Sequence, residues 1–347
     1  LDVTGMFTER DLEQTANVDE ASAVELVSGE DVEIDEEGVY VIRGDASEVT
    51  ITVNAAEDAK VQLVLDGVSI TNTNAPAIYV VSADKVFITL TDSKNKLEVS
   101  GSYETASLDS VIISKSDLTL NGTGTLEIVS AKGNGITSKD DLKITGGTYT
   151  ITAAVDGLKA NDSIRIYDGS FTITANKDAL HSENNKDSSL GYIYIRYAAL
   201  DISAADDGIQ GNAIVQIDGG AITINTSAEG IEGTWVQING GEISIYATDD
   251  GINAAQKSAY DMLMEINGGT ITIKMASGDT DALDSNGSLY INGGSLNITA
   301  NSAFDYNATG VLNGGTVVVN GQTVTQLTQS QMGGGNRTGG HGGKPSR

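Results

Sequence analysis

The sequence predicts an all-β solenoid, a single-stranded parallel β-helix of about eleven coils behind an N-terminal cap, and three observations predict it. An acid, then Gly or Ala, then a branched apolar residue recurs as Asp156-Gly157-Leu158, Asp178-Ala179-Leu180, Asp207-Gly208-Ile209, Glu229-Gly230-Ile231, Asp250-Gly251-Ile252 and Asp281-Ala282-Leu283. At a fixed offset before these phrases comes an apolar residue, a polar one, two glycines and an alternating run, as in Ile238-Asn239-Gly240-Gly241-Glu242-Ile243-Ser244-Ile245. The copies repeat every 21 to 29 residues or so, roughly the period of stacked supersecondary units.

Taken in order, residues 1–38 lack the repeat and are dense in acid, so they are expected to cap the solenoid end, whose strands would otherwise be unpaired. Within them Thr8 to Thr15 suits a short helix with Thr8 as its N-cap. The β-helix is expected over 39–327, beginning with the alternating Val39-Tyr40-Val41-Ile42. In each regular coil three short strands are separated by turns. Period-2 alternation then points Ile144, Ile166, Ile195, Ile217, Ile238, Ile266 and Ile291 inward as one stack. Ile151 to Ile298 form a second stack and Leu158 to Phe304 a third, with Tyr149 and Phe171 also inward. Longer turns at 182–191, 254–261 and 275–280 are expected to project from one corner. Residues 328–347 read as a glycine-rich flexible tail.

Composition narrows the partners. With 48 acidic against 20 basic residues the net charge is -28, which excludes the basic footprint that nucleic acid requires and favours cations. The chain has no Cys, hence neither disulfides nor thiolate metal sites. No apolar run reaches the ~20 residues needed to cross a bilayer, so no membrane insertion is expected. A Cys-free, Gly-, Asn- and Thr-rich acidic chain is compatible with a protein secreted by a bacterium, and a monomer is expected.

Neighbouring coils lie ~4.8 Å apart, so Asp156, Asp178, Asp207, Glu229, Asp250 and Asp281 should form a column of carboxylates. Asp206 and Asp249 double the acid, and Glu232, Asn253, Asp284 and Asp305 stand beside the column. Unit charges at that spacing repel by about 0.9 kcal/mol in water and about 3.5 at an effective dielectric near 20. Between Ala198 and Gly321 only Lys257 and Lys274 are available to neutralise them. Calcium, which takes six to eight oxygens, fits this donor set, with Asp207, Gln210, Glu229 and Glu232 as one group and Asp250, Asn253, Asp281 and Asp284 as another. The plainer reading is that each acid marks a turn by hydrogen-bonding local backbone.

A second outward feature lies on the first strand of the coils from 141 to 197. Lys143, Arg165 and Tyr194 should stack, with Tyr167 and Arg196 beyond them, and His181 falls beside Lys159 and Asp178. Aromatic rings suit sugar faces and Arg suits carboxylates, so Lys143, Lys159, Arg165, Tyr167, His181, Tyr194 and Arg196 are candidate carbohydrate-binding residues. An ordinary surface ladder shielding the sheet is the alternative. Trp235, the single Trp, begins a strand and is a weaker candidate.

The stretches Lys60 to Ile70 and Ser138 to Thr148, followed by the Asp-Gly-Ile coils, resemble the bacterial carbohydrate-binding domain-containing proteins, right-handed parallel β-helices similar to pectate lyases. The resemblance runs from about residue 6 to about 324. It implies a secreted or cell-surface, calcium-carrying, non-catalytic protein that binds plant cell-wall polysaccharide, polygalacturonate and also cellulose. Departures at Ala179, Glu229, Ala282 and Ser302 bear on the calcium sites. A calcium-dependent polysaccharide lyase with Lys159 as base is the second reading, and a surface adhesin without sugar specificity the third.

Overall fold

The structure, a computed structural model, describes residues 1–278 and 280–329. The chain winds into a β-solenoid of about 12 turns, in which almost every strand pairs in parallel with its equivalent one coil away. Each regular coil lays one strand on each of three walls. In one coil these are Asp141–Ile144, Thr148–Ala153 and Leu158–Ala160. The first two meet at a glycine corner, the second and third at an acid corner, and the third returns to the first at a return corner.

The predicted stacks are present residue by residue. Ile144 lies in register with Ile166, then Ile195, Ile217, Ile238, Ile266 and Ile291. The second and third walls repeat this from Ile151 to Ile298 and from Leu158 to Phe304. All are buried, so side chains fill the prism and no channel runs through it. Tyr149 and Phe171 stack inside at 5.0 Å and 15°. At the glycine corner the second Gly carries positive φ, +94° at Gly220 and +99° at Gly241, and a Cβ on Gly220 would sit 2.4 Å from the carbonyl oxygen of Ala198.

The polar residue before the two glycines forms its own ladder. Asn313, Asn292, Asn267 and Asn239 each donate Nδ2–H to the Oδ1 of the residue one coil earlier, at 2.7 to 2.8 Å, and the series ends on Asp218. Here the side chains are saturated by one another, a structural role.

Two expectations need correction. Residues 1–38 are not one cap: Ser22–Glu25 and Val32–Ile34 already pair in parallel with Tyr40–Arg43 and Ile51–Val53, forming the first coil. These strands are too short to show alternation. Residues 6–14 instead run as a strap along the outside of the first wall. The longer turns do not share a corner either: those at 183–191 and 255–262 leave the return corner, whereas 276–278 leave the second wall at the acid corner. At the far end Gln322–Val324 folds back antiparallel on Thr316–Val319 through Asn320-Gly321, both at positive φ, and so pairs with the last edge. The tail expected over 328–347 lies outside the described residues from 330 onward.

The strap is pinned by a buried ion cluster. Thr8 caps the helix Glu9–Leu12 reciprocally with Asp11, whose carboxylate then reaches the wall. There it bonds Lys85 Nζ, lies 3.6 Å from Lys143 Nζ and accepts from Thr119 Oγ1 at 3.1 Å. Asp11 is fully buried. Burial pushes its pKa up, but the hydrogen bonds from Lys85 and Thr8 and the two ammonium charges outweigh this and hold it at about 2. Gln14 Oε1 accepts from Gly122 N–H at 2.8 Å, and Arg10 lies 4.5 Å above the Phe87 ring.

Candidate functional site: the acid corner

Two columns of side chains run along the acid corner and the adjoining outer face of the third wall. The first holds Asn134, Asp156, Asp178, Asp207, Glu229, Asp250, Asp281 and Ser302. The second, in strict register, holds Lys159, His181, Gln210, Glu232, Asn253, Asp284 and Asp305. Successive coils therefore do bring the predicted carboxylates together.

They are less exposed than an edge column would be. Asp156 and Asp178 are fully buried and Asp207 nearly so, while Asp206 and Asp249 remain exposed. The cause is a backbone bond. Asp156 Oδ1 accepts the N–H of Asp178, Asp178 Oδ1 that of Asp207 and Asp250 Oδ1 that of Asp281, at 3.0 to 3.3 Å. Asn134 does the same for Asp156, and Ser302 bonds Asp281 through its hydroxyl. One oxygen of Asp156, of Asp178 and of Asp250 thus serves the fold, as the turn-marking reading requires. The second oxygen carries charge that something else must balance.

In the first coils the protein supplies the balance. Asp156 Oδ2 meets Lys159 Nζ at 3.2 Å, and Asp178 Oδ2 meets His181 Nδ1 at 2.7 Å and Lys177 Nζ at 2.8 Å. Burial raises the Asp178 pKa, yet the bonds from His181, Lys177 and the Asp207 N–H bring it down to about 2. Lys159, expected to meet sugar, is the counterion of Asp156 here, and His181, expected likewise, is a hydrogen-bond partner of Asp178. Lys177, in the turn before Asp178, has no signature in the repeat and only the fold reveals its role.

From Asp207 onward acid is in excess. Asp207, Glu229 and Glu232 each offer an oxygen within 4.8 Å of the others, as do Asp178, Asp206 and Asp207. Beside Glu232 stands the ammonium of Lys257, from the 255–262 turn, at 2.6 Å. Burial first, then repulsion from Glu232, pushes Asp207 and Glu229 far above the usual carboxylate range. Gln210 donates its amide to Asp207 and, at 2.8 Å, to Glu232, so it braces the cluster and is not an oxygen donor to it. Among the described residues of this cluster two buried oxygens, Glu229 Oε2 and Asn253 Oδ1, have no hydrogen-bond donor. Asn253 is only 6 % exposed and its Nδ2 points to Glu232 at 3.4 Å.

The second predicted group is looser. Burial and then Asp284 push Asp250 up to about 7, and burial and then Asp305 push Asp284 up to about 6. Among the described residues no Lys or Arg pairs with Asp250, Asp284 or Asp305. Among the described residues the acids of this group, Asp250, Asp281 and Asp284, do not bring three oxygens within 4.8 Å of one another as the cluster around Glu229 does.

The basic and aromatic feature stacks in the expected register, Lys143 with Arg165 with Tyr194. It is not an open platform. The strap covers it: Lys143 and Tyr194 are buried, and Arg165 bonds Asp141 at 2.5 Å and the Met6 carbonyl at 3.3 Å. Phe7 packs on Tyr167 at 5.4 Å. Only the Tyr167–Arg196–Tyr197 end emerges, and Tyr197 had no signal beyond its place next to Arg196. Trp235 is half-buried, donating Nε1–H to Glu265 at 3.0 Å.

Fold and site together define an elongated β-solenoid with a polyanionic, partly unneutralised corner. A family model of carbohydrate-binding domain-containing proteins matches residues 28–282, and the chain belongs to that family. A carbohydrate-binding domain-containing protein of Acetivibrio thermocellus is 40 % identical over 212 residues, 59 % of this chain and 74 % of that protein. A solved structure described as a polysaccharide lyase-like protein from C. thermocellum, a gadolinium derivative, is similar at 24 % identity and a TM-score of 0.49, over 85 % of this chain and 98 % of that one.

Proposed function

We propose that this chain is a secreted, non-catalytic protein that binds acidic plant cell-wall polysaccharide of the polygalacturonate type, and cellulose secondarily, with calcium held at the acid corner. One observation carries the cation: three carboxylates converge where Glu229 Oε2 and Asn253 Oδ1 are buried without a donor. Orphaned buried acceptors are costly, and a hard cation with six to eight oxygen ligands satisfies several at once. Asp207, Glu229, Glu232 and Asn253 would hold it. When bound, it supplies the positive charge by which an acidic protein can meet a uronate carboxylate.

The lyase reading asks Lys159 to act as a free base. Its Nζ is instead engaged by Asp156 at 3.2 Å and Glu183 at 3.9 Å, which favours the non-catalytic reading. The test is retention of polygalacturonate and calorimetric calcium titration, with and without EGTA, for the wild type and Glu229→Gln/Glu232→Gln. Calcium-dependent retention lost in the double variant is expected. Retention indifferent to EGTA would overturn the role of the cation, and unsaturated uronide product lost in Lys159→Ala would overturn the non-catalytic reading.

A further inference from the structure

Away from the acid corner, a groove of about 680 Å³ opens at the glycine corner, within the size range of small-ligand sites. Its floor is backbone, Gly146, Gly147 and Gly169, the last two at positive φ, a conformation that side-chain-bearing residues rarely adopt. The strap forms one wall through Leu12 and Gln14, and Tyr167 and Tyr197 form the other. Tyr197, at 55 %, is the most exposed large apolar residue among those described.

That exposed ring is held in place. It meets the Tyr167 ring edge-on, at 5.5 Å and 87°, and the Arg196 guanidinium stacks 4.9 Å from it. Tyr167 in turn is braced by Phe7. Fixing an aromatic contact surface beforehand lowers the ordering cost of binding, and a Tyr needs no such bracing to stay soluble. The groove's one charged lining side chain is Asp168, whose Oδ1 accepts the Gly169 N–H at 2.7 Å. The other carboxylate oxygen remains to accept from hydroxyls, and Ser170 lies next to it. A carboxylate there, on a chain of net charge -28, repels a uronate and accepts from a neutral polyol.

We infer that this groove is a second carbohydrate subsite, separate from the acid corner, which takes a neutral glycan chain with one sugar ring stacked on Tyr197 and needs no metal ion. The inference rests on the carbohydrate-binding reading but not on calcium. It also gives the strap a role, since Leu12 and Gln14 complete the groove.

The test is calorimetric titration with cellohexaose, xylohexaose and mannohexaose, each in EGTA, and with trigalacturonate with and without EGTA. Wild type, Tyr197→Ala, Asp168→Asn and Glu229→Gln/Glu232→Gln are compared. At least one neutral hexasaccharide should bind in EGTA, weaken on the order of tenfold in Tyr197→Ala and be unchanged in the acid-corner variant. Tyr197 is exposed, so its truncation leaves the fold intact, and unchanged melting checks this. Absence of binding by all three neutral chains, or equal binding by Tyr197→Ala, overturns the inference. Failure of the calcium reading appears separately, as trigalacturonate binding that ignores EGTA.

Discussion

Asp11→Asn removes the carboxylate that ties the strap to Lys85 and Lys143 and leaves these two buried ammonium groups facing one another without it. The carboxyl sits at about 2 in the folded chain against an ordinary 3.8, a displacement worth roughly 2 kcal/mol. Breaking a buried pair by removing one partner costs roughly 3 to 5 kcal/mol, so a loss of about 2 to 4 kcal/mol is expected. Because a solenoid is stabilised coil by coil, that loss should appear as local release of the strap. At pH 6, amide exchange of Asp11 and Leu12 should therefore accelerate roughly 30- to 900-fold, with the coils beyond Tyr194 unaffected. The sign with pH follows from the depressed pKa: the stabilisation is complete above pH 3.8 and drains away as pH falls towards 2. Near pH 2 wild type and variant should converge. Equal exchange in the two proteins at pH 6 would refute the ion cluster as the anchor.

Other perturbations separate the walls from the corners. Lys257→Met removes the ammonium 2.6 Å from Glu232; it should lower the melting temperature in EGTA yet tighten calcium on the order of tenfold, about 1.4 kcal/mol, and weaker calcium binding in calorimetry would count against competition for the same carboxylates. Ile245→Ala, in the middle of the second-wall stack and 2 % exposed, should cost about 2 to 5 kcal/mol in urea unfolding; a loss below about 1 kcal/mol would mean the stack is not close-packed. Gly220→Ala meets both a positive φ and the Ala198 carbonyl oxygen at 2.4 Å. It should destabilise by more than the usual gain of about 0.4 to 1 kcal/mol for Gly→Ala at a permissive site, and a raised melting temperature would contradict the corner geometry.

The solenoid, its three apolar stacks and the columns of the acid corner were legible in the residues. Each depends on a period: Ile217 meets Ile238 and Glu232 meets Asn253 because a coil returns the chain to the same place one coil later. Alternation then assigns in and out. What the period does not contain is whether an outward residue stays exposed. Asp178 is buried because its oxygen takes the N–H of Asp207, and Lys177 and His181 close over it, facts of corner geometry that spacing does not report.

The strap shows the same division more sharply. Lys143, Arg165 and Tyr194 stack as their spacing demands, but Met6, Phe7 and Asp11 reach them from more than a hundred residues away and outside the repeat. Local pattern and period, which belong to the sequence, determined the scaffold and the order of charges along it. The tertiary structure alone decided which charges are satisfied by the chain itself, which are left for a cation, and which surface the strap covers or opens. Those outcomes turn on contacts between segments that share no periodic relation, and on the desolvation that such contacts impose.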